Sequence, residues 1–244
     1  PSVSADPKRW LADDFISPEK IKSITVSMNG KPEAVWKINR ESEEAEFKLD
    51  GAAATELLDS TVASSLKSLL SYARFEDVVP AAQVAERAIT GGQRSAVIET
   101  FEGFTYVVKM TPAKPSAAPT TDEPAAKDHF LMSVEVSAEI PKERKKAEGE
   151  SPEDAKTKDA AFTDLQKALS DKLAKEKSFA GITYEVAKRL VEPLLKDRAS
   201  LMAKPEPAGT QAPNPGGVQR LPSGMIARPP MPAPDGKGSG VNGQ

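Results

Sequence analysis

His129 is the single histidine in a chain of 244 residues that contains no cysteine. An imidazole can move protons near neutral pH, and beside a serine it can support nucleophilic catalysis. No serine near His129 lies in a nucleophile-elbow motif, however. The absence of cysteine excludes thiolate zinc sites, iron–sulfur clusters and a cysteine nucleophile, and one histidine excludes multi-histidine metal sites. A lone histidine at the start of a strand is typical of a solvated or capping side chain, so we keep His129 only as a candidate for lining a ligand cleft.

Other groups have suitable residue types but unsuitable spacing. The aspartates at 13–14 and the glutamates at 41, 43, 44 and 46 lack the Gly and Asp positions of a calcium loop. Gly91-Gly92 follow a predicted helix, whereas a phosphate-binding loop places its glycines before one. The basic run at 142–146 is offset by nearby acids, and 33 Lys+Arg against 36 Asp+Glu give a net charge of −3. We predict a protein that is not an enzyme, with no metal, cofactor or nucleic-acid partner.

Two aromatic residues and a proline-rich segment complete the candidates. Trp36 lies on the inner face of a predicted hairpin and Tyr184 lies in a late strand. Both positions are typical of core residues, and stacking on a ligand is the alternative. Near the C-terminus the sequence RPPMPAP favours a polyproline II conformation, which fits either a spacer or a segment that binds an aromatic groove. The candidates for interaction through this tail are Arg228, Pro229, Pro230 and Pro232.

Hydrophobic periodicity predicts the elements that would position these residues. Alternation around Asn29-Gly30 predicts a hairpin over 21–40, because this dipeptide is a strong signal for a tight turn. A one-turn helix is predicted to start at Ser17-Pro18. The remaining predictions for the first half are a strand at 46–50, a helix at 55–73, an extended segment at 75–79, a helix at 80–89 and a second hairpin turning at Glu102-Gly103.

The second half predicts a long strand at 130–140, a helix at 159–179, a strand at 181–186 and a helix at 188–202. These elements together predict an α+β fold, with a mainly antiparallel sheet built from hairpins and amphipathic helices packed on one face. The polar segment 141–158 is predicted to be a solvated loop. We divide the chain into an N-terminal half at 10–111, a linker or long loop at 112–128, a C-terminal half at 129–203 packed with the first, and a disordered Pro/Gly-rich tail at 204–244.

Several segments resemble an uncharacterised bacterial family, a domain of unknown function found with auxiliary and gliding-motility-type components of ABC transporters. The resemblance is carried by FISPEKIKSITVSMNGKPEAVWKINR, by the helix through LKSLLSYARFEDVV and by the hairpin around SAVIETFEGFTYVVKM. The late segment FAGITYEVAKRLVEPLLKDRASLM is similar to the family's closing strand and helix. The resemblance covers about residues 10–202 as a hydrophobic pattern, with Trp36 and Tyr184 as anchors. It carries over no catalytic motif.

The resemblance implies a periplasmic domain on the extracytoplasmic face of the bacterial envelope, held by an N-terminal membrane anchor. Since this chain begins at Pro1 with polar residues, we expect that such an anchor has been removed. The leading hypothesis is a non-enzymatic accessory or interaction domain whose partners are envelope proteins such as ABC transporter subunits. The alternative is a small-ligand-binding or hydrolytic domain with a cleft between the two halves, lined by Trp36, Tyr184 or His129.

Overall fold

The computed structural model of the chain describes residues 15–203 apart from gaps at 29–30, 32, 54–55, 115–128, 145 and 147–148. These residues form one eight-stranded sheet with the strand order β3-β2-β1-β5-β6-β7-β8-β4, and every pair of neighbours is antiparallel. The strands are β1 (Ile21–Met28), β2 (Ala34–Asn39), β3 (Lys48–Leu49), β4 (Asp77–Val79), β5 (Arg94–Thr100), β6 (Phe104–Ala113), β7 (His129–Ala138) and β8 (Thr183–Ala187). The predicted α+β class is confirmed.

Four α-helices accompany the sheet in the described part of the chain. They are α1 (Ser60–Lys67), α2 (Ala81–Arg87), α3 (Pro152–Lys177) and α4 (Lys188–Leu195), followed by a 3₁₀ turn at Arg198–Leu201. Among the described residues, no helix combines the length and the apolar character that a bilayer crossing requires.

Both predicted hairpins are present. In the β1–β2 pair, Ile24 lies opposite Ile38 and Val26 lies opposite Trp36, so the alternating apolar residues share one face. The turn predicted at Asn29-Gly30 lies outside the described residues. The β5–β6 turn contains Gly103 at a φ of +85°, and a Cβ at this position would lie 2.4 Å from the carbonyl oxygen of Glu139. This turn therefore requires glycine for both its backbone conformation and its close approach to the next strand.

The main core covers one face of the sheet. Alternate residues of the strands point to this face and are almost fully buried, as at Ile24, Ile98 and Met132. Leu169 of α3, Leu66 of α1 and the residues Val191 and Leu194 of α4 pack into the same apolar cluster. As predicted, α1, α3 and α4 bury apolar side chains on this one face, whereas α2 packs elsewhere.

A smaller apolar cluster lies on the opposite face. Val79 of β4, Ala113 of β6 and Leu131 of β7 are buried together, and α2 covers them with Val84 and Ala88. Away from this corner the opposite face carries half-buried or exposed side chains, such as Thr25, Lys109 and Glu135. The corner formed by β4, β8, β7 and α2 is the part of the second face that buries charged groups.

The helix boundaries differ from the sequence predictions at several places, and the helix predicted over 188–202 ends at Leu195, before the 3₁₀ turn. No helix starts at Ser17, whose backbone N–H instead donates to Glu176 at 3.0 Å. The helix predicted from residue 55 begins only after Asp59, which accepts hydrogen bonds from the backbone N–H groups of Thr61 and Val62. It ends well before 73, because Leu70 adopts a left-handed φ of +61°.

The predicted loop at 141–158 was wrong over its second part, since the Ser151 side chain caps α3, which starts at Pro152.

The two predicted halves contribute strands to the same sheet. β6 from the first half pairs with β7 from the second half along its whole length. β4 from the first half lies at the sheet edge beyond β8, so the second half is inserted between strands of the first. Pro112 and Ala113, which were assigned to the linker, belong to β6, and most of that linker lies outside the described residues. The predicted tail at 204–244 also lies outside them.

Candidate functional site

Trp36 is part of the core. Its side chain is 2% exposed, and the indole N–H donates to the backbone carbonyl of Lys196 at 2.8 Å. This hydrogen bond joins β2 to the segment that follows α4. The indole therefore has the buried body and the local polar partner that are expected of a structural tryptophan.

Tyr184 lies in an aromatic cluster of the same core. Its ring contacts Phe15, Phe75 and Phe179 with centroid separations of 4.9–6.3 Å. Its hydroxyl donates to the carbonyl of Phe179 at 3.3 Å, and burial raises the pKa of this hydroxyl to about 12. The ring is thus occupied by protein neighbours on several sides.

The three cleft candidates lie apart. Trp36 is on β2 and Tyr184 is on β8, five positions away in the strand order, which corresponds to about 24 Å. His129 is on β7 with its side chain on the opposite face from Tyr184, because Met132 pairs with Tyr184 and alternates in orientation with residues 129 and 131. The structure therefore does not assemble these three residues around one cleft. The tail candidates at 228–232 lie outside the described residues.

His129 instead lies among charged groups at the corner of the second face. Its Nδ1 is 2.9 Å from Oε1 of Glu185 and 3.1 Å from Oε2 of Glu76. Glu185 is almost completely buried, at 2% exposure, whereas Glu76 is 37% exposed in its side chain. Oε2 of Glu185 lies 2.8 Å from Nη2 of Arg87. We call Glu76, Arg87, His129 and Glu185 the corner cluster.

The strand pairing explains how these residues meet. Ala187 of β8 lies opposite His129 on β7, and Glu185 lies two residues away on the same face. The backbone N–H of Glu76 donates to the carbonyl of Glu185 at 2.7 Å as the chain enters β4. Arg87 lies at the end of α2, which covers this corner, and its Nη2 also donates to the carbonyl of Lys114 at 3.1 Å. Three strands and one helix therefore position the corner cluster.

Within this cluster, only His129 is a candidate from the sequence alone. A local signal was present at Glu185, an acidic residue in the middle of an apolar strand whose neighbours Tyr184 and Val186 are buried. Glu76 and Arg87 gave no signal, because their proximity to His129 depends on β4 pairing with a strand from the far end of the chain.

A second buried carboxylate lies on the main-core side. Glu176 is 3% exposed, and its two oxygens accept hydrogen bonds from the hydroxyl of Tyr106 at 2.7 Å and the backbone N–H of Ser17 at 3.0 Å. Burial raises the pKa of Glu176, although the two hydrogen bonds act in the opposite direction. Burial and the same hydrogen bond raise the pKa of the Tyr106 hydroxyl. Through these two hydrogen bonds, Glu176 of α3 connects the segment before β1 to β6.

A cavity of about 580 Å³ opens beside Glu176, and its lining includes Ser17, Lys172, Lys175 and Tyr72. Tyr72 stands at the rim and is 99% exposed. A second cavity, of about 240 Å³, is lined by the same turn residues Ser71, Tyr72 and Ala73 and also by Arg189 and Leu190.

No protein-family model, curated protein or solved structure matches this chain. The fold and the two polar regions therefore define the described part of the chain only as an α+β structure with one antiparallel sheet.

Proposed function

We propose that this chain is a non-enzymatic accessory domain of a bacterial envelope complex, located on the extracytoplasmic side and partnered with subunits such as those of an ABC transporter. The bacterial and envelope parts of the proposal rest on the resemblance of the sequence segments to a family with that setting. The proposal that the domain acts by binding another protein rests on its surface.

The observation that carries the binding proposal is the exposure of Tyr72. This ring projects fully into solvent from the turn after α1, where Leu70 holds a left-handed backbone conformation. Tyrosine is enriched at protein interfaces and among the residues that dominate their binding energy.

The surroundings of Tyr72 combine concave surface with charges of both signs. Lys172 and Lys175 line the larger cavity together with Glu19 and Glu176, and Arg189 lines the smaller one. Lys172 lies 3.8 Å from Glu19, so its charge is partly balanced within the protein. A partner that covers the ring with an apolar pocket and matches these charges at its rim would complement this surface.

The sheet edges are less suited to binding by strand addition. β3 has two residues and β4 has three, and short edge strands are a common way of preventing edge-to-edge pairing. We therefore place the partner on the helical side, around Tyr72.

A photo-crosslinking amino acid introduced at position 72 of the full-length protein in its native cells tests this proposal. We expect one or a few envelope proteins to be captured at position 72. Position 135 is the matched control, because Glu135 is also exposed but lies on the second face of the sheet. Equal capture at both positions, or capture of nothing at 72 with good incorporation, would contradict the binding surface.

Cell fractionation tests the location separately. Recovery of the full-length protein in the envelope fraction is expected, and recovery in the cytoplasm would overturn the envelope assignment whatever the crosslinking result.

A further inference from the structure

The corner cluster combines hydrogen-bond distances with directions that are wrong for hydrogen bonds. Nδ1 of His129 is within 3.1 Å of a carboxylate oxygen of Glu76 and of Glu185. Within the part of the chain that the structure describes, this buried nitrogen nevertheless has no hydrogen-bond partner, because neither oxygen lies in the direction of the ring N–H. Oε2 of Glu185 is likewise close to Arg87 without lying in line with its N–H groups.

Such an arrangement is expected of ligands that point at a common centre. Zinc and similar ions bind imidazole nitrogen and carboxylate oxygen at about 2.0–2.2 Å. Adjacent ligand atoms are then about 2.8–3.1 Å apart in octahedral geometry and about 3.3–3.6 Å apart in tetrahedral geometry. The separations from Nδ1 are 2.9 and 3.1 Å, and the three ligand atoms all lie within 4.8 Å of one another. In a ligand set of this kind the nitrogen lone pair is directed at the ion and not at either oxygen.

We propose that Glu76, His129 and Glu185 bind a divalent transition metal ion of the Zn²⁺ or Mn²⁺ type. The donor set has one imidazole and two carboxylates, a combination of ligands suited to these ions. This site lies on the opposite face of the sheet from Tyr72, so the inference goes beyond the proposed function and does not depend on it.

The charge balance at the corner supports a cation. Two carboxylates meet at the imidazole of His129, and Arg87 supplies a positive charge at Oε2 of Glu185, the oxygen that does not contact His129. A carboxylate as deeply buried as Glu185 requires close compensation of its charge. The metal would balance the negative charge at Oε1. Arg87 would contact Oε2 from outside the coordination sphere and so orient the carboxylate, as neighbouring groups commonly do for metal-binding carboxylates.

The site is open on one side. The side chain of Glu76 is 37% exposed and that of His129 is 14% exposed, so an ion can enter without displacing the core. Three protein ligands leave coordination positions for water or for a ligand from a partner on that side.

The test is a titration of Zn²⁺, and separately of Mn²⁺, into the full chain by isothermal calorimetry after treatment with a chelator. The protein must carry no polyhistidine tag, because His129 is its only histidine. We expect saturable binding of one ion per chain. His129→Gln and Glu76→Gln are each expected to weaken the affinity by at least tenfold.

Glu135→Gln is the matched control and should leave the affinity within twofold of the wild type, because Glu135 is exposed on the same face and pairs with Lys109 instead. Circular dichroism of the metal-free variants shows whether they fold. If His129→Gln does not fold, the affinity of Glu76→Gln tests the proposal instead, because the Glu76 side chain is partly exposed and its substitution should leave the fold intact. Failure of the wild type to bind either ion saturably would overturn the proposal and leave the cluster as a set of contacts within the protein alone. Unchanged affinity in a folded Glu76→Gln variant would also overturn it.

Discussion

Two deeply buried carboxylates in the described part of the chain, Glu176 and Glu185, have opposite surroundings. Glu176 and Glu185 are 3% and 2% exposed. Glu176 accepts two well-directed hydrogen bonds from neutral donors, whereas Glu185 lies beside Arg87 and His129 in contacts that are short but poorly directed. The first carboxylate is satisfied by the fold itself. The carboxylate of Glu185 is held in place but lacks well-directed hydrogen bonds, as expected of a side chain that binds an ion.

The largest change in the free energy of unfolding is expected for substitution of Glu176. Glu176→Ala would leave the Tyr106 hydroxyl and the Ser17 N–H without their acceptor, and we expect a loss of about 3 kcal/mol in the free energy of unfolding. Glu176→Gln keeps one oxygen for Ser17, and its amide can donate to the Tyr106 hydroxyl, so it should cost about 1 kcal/mol or less. Urea unfolding of both variants gives these values. Equal losses would show that the hydrogen bonds at Glu176 contribute little.

A smaller effect is expected at Glu185 in the metal-free protein. Glu185→Gln retains the shape of the side chain and an oxygen for Arg87, and it removes the repulsion between the carboxylates of Glu185 and Glu76. We expect a loss of about 1 kcal/mol in the same urea experiment. The variant should also lose the rise in melting temperature that Zn²⁺ gives to the wild type. A loss as large as that of Glu176→Ala would mean that the corner cluster is a stabilising ion-pair network.

The smallest effect is a dependence on pH. Because burial raises the pKa of Glu176 above its ordinary value of 4.5, the folded state holds this proton more tightly than the unfolded state does. The stabilising contribution of the protonated form is therefore complete at low pH and is lost as the pH rises above 4.5 through the folded-state pKa.

Urea unfolding at several pH values in this range, for the wild type and Glu176→Gln, measures that contribution. We expect the difference in unfolding free energy between the two proteins to shift in favour of Glu176→Gln as the pH rises. A difference that does not change with pH would contradict a raised pKa.

Local patterns predicted the elements more successfully than their boundaries. The alternation around Val26, Trp36 and Ile98 identified strands because one face of the sheet is buried and the other is not. The first turns of α3 were missed because its exposed start is as charged as a solvated loop, although the sequence Ser151-Pro152-Glu153 contains a typical helix start. The end of α1 was missed because no glycine marks the left-handed residue Leu70.

The corner cluster could not be predicted from local sequence patterns. Its members come from four elements, and Glu76 approaches Glu185 only because β4 pairs with β8. No periodicity within a window of ten or twenty residues contains that pairing. The residue type of His129 could be noted from the sequence, but its partners could not.

The position of β4 at the edge beyond β8 also bears on how the chain folds. Val78 pairs with Tyr184, so the last strand of the sheet is joined to its neighbour across about a hundred residues. Pairings of such long range form late and slow the folding of a domain, because the loop between them must close first. A nascent chain that has not yet released β8 from the ribosome would leave β4 without its partner strand, and chaperone capture of this intermediate would be most needed at that stage.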